Sequence, residues 1–348
     1  MPAVPVVAVL VAADESLPDG LESGLKSLTT EADIRLVRTE DALVAAVAEA
    51  QVLVVYDFRT PLVRKLGDRV SQLEWIHAAS AGVDAVLTPE VVAAPCVVTN
   101  ARGVFDTPIA EYCMGVLIAF AKDLPRTLEL QRARTWNHRE TRPVAGRHML
   151  VVGAGSIGSE VGRLGAALGM QPRGLAHSRR DGHPVFGHLY GAGDLHTQLA
   201  WADDVVISTP LTEATRGMFD TAAFKALRPG ATIVNVGRGP VVDEAALLEA
   251  LRDGTVGAAA LDVFDEEPLP ADHPFWGMDQ VIVSPHMSGD DQGWMEALGR
   301  QFTENFSRWR RGEPLHNVVD KATAFATIST ANVSTANVST QGGNSERR

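Results

Sequence analysis

The chain is poor in cysteine, in aromatic side chains and in positive charge. Its 348 residues include two cysteines, Cys96 and Cys113, which form no CxxC pair and lie near no histidine cluster. This excludes a disulfide scaffold and a zinc site, and it fits a reducing cytoplasm. Aromatics make up 6% of residues, and 31 Lys and Arg face 43 Asp and Glu, giving a net charge of −12. Nucleic acid and anionic membranes require a basic face, so neither partner is expected. Long apolar runs are also missing. The nearest, residues 113–121, falls well short of the roughly 18–20 residues of a membrane span. The N-terminal run MPAVPVVAVLVAADE has no basic flank and soon meets Asp14 and Glu15, so it reads as a buried strand rather than a signal peptide.

What is present is material for folding. Hydrophobic residues make up 45% of the chain, and its length exceeds the size at which one core keeps growing, so two domains are expected. Short apolar runs alternate with helical patterns in the first hundred residues: VVAVLVA, IRLVR, DALVAAVAEA, QVLVVY, LEWIHAA and CVVTN. Such alternation predicts a parallel sheet in an α/β fold. The segment TPIAEYCMGVLIAFAKDL follows, with Thr107 as N-cap and Pro108 in the first turn. Being apolar nearly all round, it should be buried between domains or between subunits. A second series begins near Arg147 with HMLVVG, PRGLA, DDVVIST, ATIVNVG, VGAAALDVF and QVIVSPH. Six strand candidates with intervening helices match a full dinucleotide-binding domain. A helical stretch at 294–311 then leads back towards the first domain. Beyond Asp320 the polar repeat STANVSTANVST cannot bury a core, so a flexible tail is expected, with partner binding as the alternative.

In MLVVGAGSIG, Gly153, Gly155 and Gly158 have GxGxxG spacing, with Ser156 and Ile157 between the last two. The turn follows a strand and opens a helix, the context in which its glycines admit a pyrophosphate to a helix N-terminus. The next strand ends in GLAHSRR, residues 174–180, without the acid that would hold both ribose hydroxyls of the adenosine half. Ser178, Arg179 and Arg180 instead offer a hydroxyl and two cations to a 2′-phosphate. NADP(H) is therefore the preferred cofactor, with NAD(H) possible; Arg180 could equally be a solvated surface residue.

Three later segments, NVGRGPVVDEAAL, ALDVFDEEPLP and VSPHMSG, each place a polar residue just beyond an apolar strand. Ligands of open α/β sheets bind outside the carboxyl ends of the strands, so Arg238, Glu267 and His286 are expected to converge there. These segments and the glycine turn resemble the D-isomer-specific 2-hydroxyacid dehydrogenase family over residues 6–320. The resemblance implies that His286 exchanges a proton with the substrate, that Glu267 stabilises the charged imidazole, and that Arg238 binds the substrate carboxylate and polarises its carbonyl. It implies that Asp262 binds the nicotinamide carboxamide and that Thr209, Pro210 and Val236 line the cofactor. Thr209 and Pro210 could also simply end a strand. In SAGVD, the backbone of Ala81, Gly82 and Val83 would receive a carboxylate, with a plain glycine turn as the competing reading. Tyr56, Phe58 and Arg59 are further candidates for shaping specificity.

The expected architecture is α/β, with two doubly wound parallel-sheet domains. Residues 1–101 and 289–320 would form a discontinuous flavodoxin-like substrate domain, residues 102–288 a Rossmann NAD(P)-binding domain, and residues 321–348 the tail. The expected activity is reduction of a small 2-keto acid, as in glyoxylate and hydroxypyruvate reductases, by a cytoplasmic homodimer whose two domains close over the substrate, with no metal required. A D-3-phosphoglycerate dehydrogenase ranks second, because the chain lacks a long C-terminal regulatory domain. The amide expected at the catalytic acid position of a formate dehydrogenase is absent, and a non-catalytic NAD(P)-sensing module is the alternative from another class.

Overall fold

The computed structural model describes residues 4–12, 19–56 and 62–329. The chain divides into two compact units, Met1–Phe105 with Gln292–Arg348, and Asp106–Asp291. The first begins with β1 (Val6–Leu10), α1 (Asp19–Ser27), β2 (Asp33–Val37), α2 (Glu40–Val47), β3 (Val52–Val55), β4 (Trp75–Ala78), α3 (Pro89–Ala93) and β5 (Val97–Asn100). Its five strands are parallel in the order β2-β1-β3-β4-β5. Helices cover both faces of such a sheet, which explains why β1 and β3 read as continuous apolar runs without alternation. Thr39 and Thr88 cap α2 and α3 by accepting from Ala42 N and Val91 N.

The second unit comprises α4 (Asp106–Ala121), α5 (Leu124–Arg132), β6 (His148–Val152), α6 (Ser156–Ala167), β7 (Gln171–Leu175), β8 (Arg180–His183), β9 (Gly187–Tyr190), α7 (Leu195–Leu199), β10 (Asp204–Ile207), α8 (Thr221–Lys225), β11 (Ala231–Asn235), α9 (Glu244–Arg252), β12 (Val256–Leu261) and β13 (Val281–Val283). Strand order is β13-β12-β11-β10-β6-β7-β9-β8, with only β8 antiparallel to its neighbour. The order reverses at β6, flanked by β7 and β10, and this is the switch point where ligands bind in doubly wound sheets. The apolar helix starts one residue before the expected cap and packs against α6 inside this unit. It stops short of Asp123, which adopts φ 53°.

Two strands, β8 and β9, escaped the sequence pattern because RDGH is polar and lies at the sheet edge. A side chain from their turn anchors them. Phe186 lies so close to α6 and β7 that a Cβ on Gly162 or Gly174 would stand 2.5 or 2.7 Å from its ring.

The chain returns to the first unit through α10 (Trp294–Arg310) and α11 (Lys321–Ser329). The second helix corrects the expected tail boundary at residue 321. It packs beside α3, and Lys321 Nζ donates to the carbonyls of Val91, Ala94 and Cys96 at 3.1, 2.5 and 2.9 Å. The polar repeat gave no hint that a single lysine could satisfy the carbonyl end of a distant helix. The remainder of the tail, like Phe58 and Arg59, lies outside the described residues. No helix among the described residues is long and apolar enough to cross a membrane.

Within β4 the first unit buries a histidine. His77 lies edge-on to Trp75 and tilted against Phe302, its Nδ1 pairs with Thr99 Oγ1 at 2.9 Å, and its Nε2 has no partner among the described residues. Burial pushes the imidazole down to about 4. The unfolded chain therefore takes up the proton first, so the stabilisation from neutral His77 is complete above pH ~6.5 and is lost as pH falls towards 4, amounting to about 3 kcal/mol. Denaturant titrations between pH 4 and 7 should show this loss in the wild type and a flatter profile in His77→Phe. Parallel profiles would exclude His77 as the source.

Candidate active site

The glycine turn lies at the carboxyl end of β6. Gly153 adopts φ 107°, and a Cβ on Gly158 would stand 1.9 Å from the Gly153 carbonyl oxygen, so neither position tolerates a side chain. A Cβ on Gly155 would meet nothing within 4 Å, and α6 has no side-chain N-cap. Its first amides and its dipole thus face an open approach suited to a pyrophosphate. Ser156 Oγ donates to Asp106 at 3.1 Å. Thr209 and Val236, both nearly buried, and exposed Pro210 follow the neighbouring strands β10 and β11.

The three candidate catalytic residues follow β11, β12 and β13, which are consecutive in the sheet. Arg238 is set by its neighbours. Asn235, 1% exposed, accepts from Gly237 N and donates to the Arg238 carbonyl. A Cβ on Gly239 would lie 2.0 Å from the Phe264 carbonyl carbon, so the Arg238 turn rests directly on the backbone that leads to Glu267. His286 Nδ1 meets Glu267 Oε2 at 2.8 Å, and Glu267 Oε1 accepts from Phe264 N at 3.0 Å. Burial pushes the Glu267 carboxyl up. The hydrogen bonds from His286 and Phe264 N, with the charges of His286 and Arg238, outweigh it and hold the group below the usual carboxylate range. A carboxylate only accepts, so His286 Nδ1 carries the proton of this bond.

His286 itself adopts φ 53°, a backbone conformation uncommon outside glycine. Asp262, 1% exposed, holds it there. Its Oδ1 accepts from Ser284 Oγ at 2.6 Å and Met287 N at 2.9 Å, and its Oδ2 accepts from Ser288 N at 2.9 Å. Ser284 spends its only proton on Asp262, so Tyr112 donates to Ser284 Oγ across 2.7 Å. Burial pushes Tyr112 up to about 12, the charges of Asp262 and Cys113 adding to it, so it remains a donor. Asp262 was read from the resemblance as a nicotinamide ligand; most of its acceptor capacity goes to the loop that carries His286.

The loop at 178–180 meets a residue that local spacing does not reveal. Arg179 Nε donates to Asp194 Oδ2 at 2.6 Å, and its Nη2 to Asp194 Oδ1. Ser178 and Arg180 are exposed. Spacing alone could not reveal Asp194, because β8 and β9 intervene. In the first unit, Ser80 Oγ donates to the Gly82 carbonyl and Asn100 Nδ2 to the Ala81 carbonyl. The amides of Ala81, Gly82 and Val83 donate to no group among the described residues, an arrangement open to an anion.

Residues 114–288 match the family described as D-isomer specific 2-hydroxyacid dehydrogenase, NAD binding domain. The chain belongs to this family. It is 31% identical over 281 residues to the glyoxylate/hydroxypyruvate reductase B of Salmonella paratyphi A, covering 78% of this chain and 86% of that one. It is 30% identical over 300 residues to the D-3-phosphoglycerate dehydrogenase of Methanocaldococcus jannaschii, covering 83% of this chain but only 55% of that relative's length. A crystal structure of a D-isomer specific 2-hydroxyacid dehydrogenase from Xanthobacter autotrophicus Py2, in complex with NADPH and MES, superposes with a TM-score of 0.77 at 29% identity, covering 92% of this chain and all of that one.

Within this dehydrogenase fold, Asp290 is a second carboxyl that the sequence reading left aside. It follows His286 in the same turn, its N–H donating to the Met287 carbonyl at 2.9 Å. Burial and the nearby charge of Asp262 raise its carboxyl above the usual range, against the opposing charge of His286. The anchoring role of Asp262 has a direct measurement. Asp262→Asn exchanges an acceptor for a donor beside backbone N–H groups and should cost about 2–4 kcal/mol. Hydrogen exchange should quicken at Met287 and Ser288, while unchanged protection there would remove Asp262 as the anchor.

Proposed function

We propose that this family member reduces a small 2-keto acid to the D-2-hydroxy acid, with NADPH preferred over NADH. The observation that carries the reading is the His286–Glu267 pair at 2.8 Å, with the charge of Arg238 acting on the same carboxylate. The glycine turn and the open N-terminus of α6 would hold the pyrophosphate of the cofactor, and Thr209, Pro210 and Val236 would line its path. A bound nicotinamide dinucleotide supplies the hydride.

The chain's own residues do the rest. Arg238 binds the substrate carboxylate and draws electron density towards the keto oxygen, which acquires negative charge as the carbonyl carbon is reduced. His286 delivers a proton from Nε2 to that oxygen, and the imidazole left behind stays oriented through Nδ1–H on Glu267. The ionised Glu267 favours the charged imidazole before transfer. In the oxidative direction His286 accepts the hydroxyl proton at Nε2, so reduction needs a protonated ring and oxidation a neutral one.

His286→Ala should lower kcat for glyoxylate or hydroxypyruvate reduction by roughly 10²–10⁴-fold, while the dissociation constant for NADPH, read by fluorescence, stays near the wild-type value. Turnover close to wild type would sink the assignment. Replacing Arg179 and Arg180 together by Ala should raise the KM for NADPH well above any change for NADH, and equal changes would refute the phosphate reading. A panel that also includes phosphohydroxypyruvate separates this activity from that of a phosphoglycerate dehydrogenase.

A further inference from the structure

Dinucleotide-binding folds usually end the second strand of the cofactor domain with an acid that takes the adenosine ribose hydroxyls. Here β7 ends without one, yet an acid reaches the same loop from 15 residues further along the chain. We propose that Asp194 is a cofactor-specificity residue: its carboxylate opposes a ribose 2′-phosphate, and Arg179 cancels that opposition. The inference rests on the Ser178–Arg180 loop as the adenosine end of the site.

Asp194 closes the short turn at 192–194 by accepting from Gly191 N, but that cap uses one oxygen only and does not account for the rest of its bonding. Asp194 stands at the N-cap position of α7, where an aspartate ordinarily accepts from the first-turn amides, but it makes no such bond. Both oxygens turn instead to the guanidinium of Arg179, and Oδ2 also accepts from Gly191 N at 3.0 Å. The hydrogen bond from Arg179 is the main influence on the carboxyl, followed by that from Gly191 N and the charges of Arg179 and His188. Together they bring it down to about 2, so it is ionised throughout the working pH range.

The Arg179 side chain is 69% exposed and that of Asp194 14%, so the guanidinium lies between the carboxylate and solvent. Nε and one N–H of Nη2 are spent on Asp194, leaving three N–H groups on the outer edge of the fork for a ligand. The pair carries no net charge. A 2′-phosphate thus meets directed donors without a net cation, and Arg180 supplies the remaining positive charge of the loop. A ribose hydroxyl needs no such charge, so the pair narrows the difference between the two cofactors. Removing the carboxylate while keeping Arg179 widens it.

The probes are 2′,5′-ADP and 5′-AMP, which differ by that phosphate, with dissociation constants measured by calorimetry on the full chain. Asp194→Asn should shift the ratio of the two constants towards 2′,5′-ADP by roughly three- to tenfold, a magnitude set by screened charge at this exposure. Asp194→Ser, which keeps an acceptor for Gly191 N, should shift it the same way, and thermal melting confirms that both variants fold. Arg179→Ala should shift the ratio against 2′,5′-ADP, and adding Asp194→Asn to it should recover part of the loss. An unchanged or reduced preference for 2′,5′-ADP in both Asp194 variants would overturn the inference and leave Asp194 as a support for Arg179. If the wild-type protein binds 5′-AMP as tightly as 2′,5′-ADP, the NADPH preference fails, while the direction of the Asp194 shift still decides this proposal.

Discussion

The site depends on backbones that come closer together than side chains would permit. At the carboxyl edge of the second sheet, the Arg238 turn lies against the Phe264 carbonyl, and the first helical turn of α6 lies against the Gly153 carbonyl. Glycine is required at 239 and 158 for that reason, since a single Cβ would force the loops apart by more than an ångström. The contact at Gly239 brings the segment after β11 directly against the segment after β12, and Glu267 on the latter reaches His286 beyond β13. The proposed catalytic residues on these loops owe their placement in part to this contact.

Buried polar groups then fix what crowding alone would leave loose. Asp262 ties down both residues after His286, and Asn235 does the same on either side of Arg238. Each is nearly inaccessible to water, where an unsatisfied group is costly and a satisfied one is firmly held. The left-handed backbone at His286 is tolerable because its surroundings hold it from both sides. The active groups themselves remain about one-third exposed, so rigidity resides in the layer beneath them. At the loop after β7 the balance is electrostatic, and Arg179, a cation that looks available in the sequence, is already bonded to the Asp194 carboxylate.

The strands of both sheets were legible because parallel strands buried on two faces leave continuous apolar runs. VVAVL and VLVV are uninterrupted and nearly all buried, and ATIVN is buried throughout despite its Thr232 and Asn235. The hairpin of β8 and β9 was not legible, because an edge held by one phenylalanine needs no apolar pattern of its own. The same limit applies to α11: its attachment depends on where three carbonyls point, and no local spacing encodes that.

By itself the sequence determined the two-sheet α/β class and placed the glycine turn, Arg238, Glu267 and His286 each just beyond a strand, because each is written in local spacing beside a strand end. Only the tertiary structure decided that Asp262 anchors the histidine loop and that Asp194 pairs with Arg179. Both are contacts between segments far apart in the chain, and a hydrogen bond or ion pair depends on distance in space, which one-dimensional spacing does not carry.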